Sequence, residues 1–357
     1  MDLKSTPINT KGYESLLKLV DNTTKDTFDL FLALFKYNPS SRQQLEQVQQ
    51  AFVNIRNALD SGVAPAAAAS DSRIDLGPRV KALAPSKTSA VTDLATRLRR
   101  EGRDIVSLSV GEPDFPVADV VKEAIVDAMD SDRTRYTEVV GTLELRSSIA
   151  AYLLGKKGVA YAPTDIVVSN GAKQSILQAM LVLTRPGDEV VIPAPYWVSY
   201  PEIVTLSGGV SVIAETLPEA GYILTPEVLR AALTPRSRIL VLCNPSNPTG
   251  AVMTKDQLQA IADVLVEFPK IFVISDEIYE RICFGTPHYS FAGLAGMHQR
   301  TITINGFSKA YAMTGLRVGY AAAPSELAAA MAKLQGHTTS CACSLSQAAA
   351  VAALKHV

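Results

Sequence analysis

From Ile74 onward, short runs of β-branched and aliphatic residues alternate with stretches whose apolar residues recur at three- and four-residue spacing. The spacing predicts helices over Val91–Arg100, Val117–Met129, Lys173–Leu183 and Asp256–Val266. A further helix is expected over Thr142–Leu154, with Thr142 as N-cap and Leu145 and Ile149 on one face. Strands are expected at Ile105–Val110, Ile166–Ser169, Glu189–Ile192, Arg238–Cys243, Ile271–Ser275 and Thr301–Ile304. Strand and helix in alternation imply an α/β fold, a largely parallel sheet covered by helices. Ligands of such sheets collect beyond the carboxyl ends of the strands.

Residues 1–62 read differently. Leu16–Val20 and Phe28–Phe35 carry apolar residues at helical spacing, and Gln43–Leu59 is a polar, Gln-rich helical pattern. Acidic and basic residues balance in this segment, unlike an acid-poor transit peptide, and no basic flank precedes a compact apolar stretch as in a secretory signal. The pattern assigns the segment no role. Residues 63–75, Ala-rich and containing one proline, read as a linker.

Composition narrows the function classes. The chain of 357 residues is 47% hydrophobic and 19% charged, with a formal net charge of −1, which gives no sign of a nucleic-acid or membrane-surface partner. No apolar run approaches the roughly 20 residues of a membrane span. Four cysteines in a chain of this length make no disulfide framework, and Cys341 and Cys343 lack zinc-ligand spacing, so no metal is expected. Reduced cysteines fit a cytosol-like or stromal compartment.

The chemistry-bearing motifs follow the predicted strands. Ser169–Ser175 (SNGAKQS) opens a helix, where small residues let backbone amides approach an anion; an ordinary helix entry is the alternative. Pro193–Trp197 (PAPYW) holds the only tryptophan, placed either to stack on a planar ring or to cap the core. Asn244–Gly250 (NPSNPTG) contains two Asn-Pro steps that stiffen a turn and present Asn247. Asp276, at the end of a buried strand, needs a partner that a protonated ring nitrogen would supply, with Tyr279 in reach of the same ligand. In Asn305–Tyr320 (NGFSKAYAMTGLRVGY), Lys309 sits among small and apolar residues that lower an amine's pKa; a lysine with its stem on apolar surface and its head in water is the alternative. A carboxylate and an amine so disposed suit pyridoxal phosphate.

In this order the five motifs resemble those of class I/II aminotransferases, with the pyridoxal-phosphate-dependent transferase type I fold, from about Leu76 onward. LGPRVKALAPSKT, VGEPDF and RYTEVVGTLELR are most similar to the bacterial- and plastid-type aspartate/prephenate aminotransferases. The resemblance implies Lys309 as Schiff-base lysine and acid/base, Asp276 on the pyridine nitrogen, and Asn247 and Tyr279 on the ring 3′-oxygen. It places Trp197 on the ring and Gly171, Ala172, Lys173, Ser308 and Arg317 around the phosphate. Tyr136 would come from the second subunit of a homodimer. On the substrate side it implies Gly111, Trp197 and Asn247, with Lys87, Thr88 and Lys173 recognising the distal carboxylate; Lys173 thus has two roles open to it.

The implied reaction is ping-pong transamination between dicarboxylic amino acids and 2-oxo acids, prephenate among the acceptors, in a plastid stroma or otherwise the cytoplasm. The resemblance divides the chain into part of a small domain (76–110), a large cofactor domain (111–340) and the start of a small-domain segment (341–357). It implies a continuation beyond Val357 that carries the arginine for the substrate α-carboxylate, and no arginine follows Ser340. Two alternatives stay open: another reaction of the same fold such as β-lysis, or an inactive fold acting through its N-terminal helices as an interaction module.

Overall fold

In a computed structural model of the chain, residues 75–357 are described. The expected N-terminal helices and linker, apart from Asp75, lie outside them. The element order is α1 (Pro78–Lys81), α2 (Lys87–Arg100), α3 (Asp119–Asp130), α4 (Leu143–Tyr152), β1 (Ile166–Ser169), α5 (Ala172–Leu183), β2 (Glu189–Ala194), α6 (Ser199–Ser207) and β3 (Val210–Glu215). It continues with α7 (Pro226–Ala232), β4 (Ser237–Cys243), α8 (Lys255–Val266), β5 (Phe272–Asp276), β6 (Thr301–Gly306), β7 (Gly319–Ala322), α9 (Ser325–Gly336) and α10 (Ser344–His356).

The strands form one sheet in the order β1-β7-β6-β5-β4-β2-β3. Only β7 runs antiparallel to its neighbours, so β1 to β6 all point their carboxyl ends to the same edge. Side chains alternate between faces along each strand. Val190, Ile192, Ile239, Val241 and Ile274 pack with α5, α6 and α9, whereas Val191, Leu240, Leu242 and Val273 pack with α7 and α8. A third cluster, from Ile166, Val168 and Tyr320, is covered by α3, α4 and α10.

Local sequence fixes the helix entries. The Thr142 hydroxyl accepts from Leu145 N at 3.3 Å, and Leu145 and Ile149 are fully buried, as the spacing predicts. Thr254 and Gln257 form a reciprocal capping box at α8. Helix α2 begins at Lys87, earlier than the apolar spacing predicts, because Ser86 caps it by accepting from Ser89 N. In α10, Gln347 binds the 137–142 loop: its Oε1 accepts from Thr142 N at 2.7 Å and its Nε2 donates to the Thr137 hydroxyl at 3.0 Å.

The strand expected at Ile105–Val110 is not formed. This segment is irregular, pairs with no strand among the described residues, and leaves Val106 86% and Leu108 93% exposed. Period-two alternation gives a strand only where a neighbouring edge supplies partners. All four cysteines are free thiols.

Candidate active site at the carboxyl edge of the sheet

The five motifs that follow predicted strands lie along one edge, because β1, β2, β4, β5 and β6 all end there. At β1, Gly171 adopts φ +86° as the N-cap of α5. Strand β7 starts at the same edge, with Gly319 opposite both Ser169 and Gly306. Antiparallel β7 therefore brings the preceding Arg317 across the start of α5. A β-carbon on Gly171 would lie 2.6 Å from Arg317 Nη2, and one on Gly319 2.5 Å from Ala172 N. The amides of Ala172 and Lys173 open the helix with no acceptor among the described residues. Two orphan amides, a helix N-terminus and a guanidinium make a cradle for an anion. Ser308, buried, follows β6.

At the ends of β2 and β4 the loops carry three cis peptides, Ala194-Pro195, Asn244-Pro245 and Asn247-Pro248. Trp197 meets Tyr200 of α6 edge-on, with centroids 5.3 Å apart, and Lys173 Nζ lies 4.8 Å from the Trp197 ring centroid. Partial desolvation and the Arg317 guanidinium push the Lys173 pKa down. Asn247 Nδ2 donates to Tyr279 Oη at 3.3 Å. Burial, with Cys243 and Asp276 adding to it, pushes the Tyr279 phenol up to about 12, so it keeps its proton. A cavity of about 40 Å³ lies between these loops, bordered by Tyr196, Tyr200, Cys243 and Asn247.

Asp276 closes β5 beside Cys243 of β4 and is 4% exposed. Its Oδ2 accepts from the Tyr200 phenol at 2.7 Å and its Oδ1 from Ile278 N at 3.3 Å. Burial raises its pKa, and these two donors oppose the rise. After β6, half-buried Lys309 donates from Nζ to the Gly111 carbonyl. Burial lowers its pKa, Glu112 opposes that shift, and Arg317 adds to it.

The edge thus gathers Gly111, Gly171, Ala172, Lys173, Trp197, Asn247, Asp276, Tyr279, Ser308, Lys309 and Arg317. Three candidates lie on other segments than the strand-end loops. Tyr136, just before the 137–142 loop, is 90% exposed. Lys87 opens α2, and Thr88 is exposed there, its carbonyl accepting from the Thr92 hydroxyl at 2.9 Å.

Two features were not read from the sequence. One is Tyr200, the phenol on Asp276. The other is a buried ionic group behind the edge, where Lys157 Nζ lies 2.6 Å from Glu280 Oε2 and 2.8 Å from His288 Nδ1. Glu277 Oε1 accepts there from Ser275, Ser290 and the Phe291 amide. Ligand-type atoms of Glu277, Glu280 and His288 lie within 4.8 Å of one another, and the Lys157 ammonium supplies the cation among them. The carboxylates of SDEIYE were the available signal for this group.

A buried carboxylate, a partly desolvated lysine and two unpaired helix-entry amides beside a guanidinium thus share one edge of an α/β sheet. Residues 103–357 match the family described as Aminotransferase class I and II, and the chain belongs to that family. It is 51% identical over 282 residues to the petunia (Petunia hybrida) bifunctional aspartate aminotransferase and glutamate/aspartate-prephenate aminotransferase, covering 79% of this chain and 59% of that protein. The aspartate aminotransferase of Pinus pinaster is 50% identical, with 79% and 58% covered. The chain therefore spans about three fifths of the length of these plant relatives. Among solved structures, the Thermus thermophilus aspartate aminotransferase with maleate superimposes with a TM-score of 0.76 at 42% identity, covering 79% of this chain and 73% of that one. Residues 1–70 match a second family, described as TYRAAT1-like, C-terminal domain.

Proposed function

We propose that this chain carries the cofactor site of a pyridoxal-phosphate-dependent aminotransferase acting on dicarboxylic amino acids and 2-oxo acids. The observation that carries the reading is the meeting of Asp276, Lys309 and the Gly171–Arg317 cradle on one edge. These residues fit the cofactor. The orphan amides of Ala172 and Lys173, with Ser308 and Arg317, would hold its phosphate. Asp276 would hold the proton on the ring nitrogen, Asn247 and Tyr279 the 3′-oxygen, and Trp197 a face of the ring. When bound, the cofactor supplies an electron sink and an aldehyde.

Lys309 is the group that moves protons. Its lowered pKa leaves more neutral amine near neutrality than an ordinary surface lysine has, which suits attachment and proton transfer alike. The Gly111 carbonyl orients that amine. Near Gly111 the substrate carboxylate would sit, with Trp197 and Asn247 beside it. Lys87, Thr88 and Lys173 would recognise a second carboxylate, for which charge discriminates strongly against apolar side chains.

The substrate class rests on the names of the petunia, pine and Thermus relatives and on the dicarboxylate maleate in the Thermus structure. The same reading includes prephenate as an acceptor, a homodimer in which exposed Tyr136 reaches the neighbouring site, and a plastid stroma. Among the described residues no helix is long and apolar enough to cross a membrane. The same reading assigns residues 76–110 and 341–357 to a small domain and 111–340 to a large one.

Assaying aspartate, glutamate and an aromatic amino acid as donors tests the reading, with this chain and with one extended to the length of the plant relatives. The dicarboxylic donors are expected to be preferred. A longer chain that prefers monocarboxylic aromatic donors would overturn the substrate class. Sedimentation in solution checks the dimer.

A further inference from the structure

We propose that Tyr200 is a positioning residue for Asp276, its phenol keeping that carboxylate ionised and aimed at the cofactor's ring nitrogen. The inference rests on the cofactor reading above and adds a residue to it. Tyr200 lies in the first turn of α6, 2% exposed, with Trp197 packed edge-on against its ring. Its hydroxyl donates to Asp276 Oδ2 at 2.7 Å, and no other side chain among the described residues donates to this carboxylate.

The surroundings make that one hydrogen bond matter. From β4, the Cys243 thiol stands next to both residues and donates to the Pro245 carbonyl at 3.3 Å. From β6, Ile304 is paired with Asp276 and carries no charge. Tyr279, on the turn that follows β5, is a neutral phenol bonded to Asn247. None of these groups is a cation, so among the described residues ionised Asp276 relies on Tyr200 and the Ile278 amide. A buried carboxylate with a lost donor reverts to its neutral acid more readily. Neutral, it no longer supplies the charge that favours a protonated ring nitrogen. Tyr200 itself does not titrate in the working range, since burial first, then Asp276 and Cys243, raise its pKa well above that of a free phenol.

Trp197, the only tryptophan, gives a fluorescence readout of pyridoxal 5′-phosphate binding to the full 357-residue chain. Binding is measured against pH for wild type and Tyr200→Phe, with pyridoxal 5′-phosphate and with its 1-deaza analogue, which lacks the ring nitrogen. Tyr200→Phe is expected to weaken binding of the natural cofactor roughly 10- to 100-fold, the range of a hydrogen bond to a charged group. Its acid limit of binding should move to higher pH, while the 1-deaza analogue binds both proteins alike. An unchanged affinity and acid limit, or an equal loss with both ligands, overturns the role of Tyr200. Wild type that binds neither ligand overturns the cofactor reading itself. Infrared difference spectra of wild type on adding cofactor at neutral pH give a readout that needs no variant. No protonated-carboxyl band should disappear, because Asp276 is already ionised; loss of such a band contradicts the proposal.

Discussion

Gly171 and Arg317, far apart in sequence, are packed so closely that a β-carbon on Gly171 would lie 2.6 Å from Arg317 Nη2. Gly171 also has φ +86° and ψ 158°, a conformation open almost only to glycine. Gly171→Ala is therefore expected to displace the guanidinium and to lower stability by about 1–3 kcal/mol. Affinity for inorganic phosphate and for pyridoxal phosphate should fall together, as calorimetric titration would show. Retained affinity for both would mean that Arg317 and the start of α5 do not form the anion site.

Asp276→Ala is expected to damage chemistry more than folding. Loss of an electrostatic partner at an active site costs about 2.7–4 kcal/mol of barrier, or 10²–10³ in rate. In a chain extended to full activity, turnover near wild type would show that the ring nitrogen is held by another group.

Much of this edge was legible in the sequence, and the reasons are local. Strands β1, β4, β5 and β6 are runs of β-branched and aliphatic residues buried on both faces, and such runs stand out against polar loops. Strand β7, GYAA, did not stand out, because glycine and alanine carry little strand preference. Its place is set by β1 and β6 on either side, and with it went the route that brings Arg317 to Gly171. Tyr200 was missed for a related reason: it follows Trp197 in a segment of no clear period, and only the packing of α6 against the sheet turns its hydroxyl to Asp276. At Ile105–Val110 the error ran the other way, since alternation was present and the partner edge was not.

Glu277 gives a pH prediction. Burial first, then Glu280, pushes its carboxyl up to about 7, against the pull of Lys157, Ser290 and Ser275. The native state thus holds a proton that the unfolded chain releases above its ordinary value of 4.5. This contribution to stability is full below that ordinary value and is lost as pH rises through about 7. Glu277→Gln, neutral throughout, should gain thermal stability relative to wild type as pH passes upward through that window. A difference in melting temperature that does not vary with pH would contradict the assignment.

In the core, Leu145 is fully buried between α3, α10 and the sheet. Leu145→Ala should destabilise the protein by about 2–5 kcal/mol through the cavity it leaves. Thr142→Ala, which removes only the cap of α4, should cost about 1 kcal/mol. Urea unfolding that ranked the two in the opposite order would place the core elsewhere.

Borohydride reduction of the chain saturated with pyridoxal phosphate, followed by peptide mapping, tests the site most directly. The amine that holds the cofactor aldehyde should be the half-buried Nζ at the end of β6 beside Gly111. The expected result is one pyridoxyl group, on Lys309, which is absent from Lys309→Ala. Labelling of Lys173 or another lysine in its place, or no labelling of a folded chain, would contradict it.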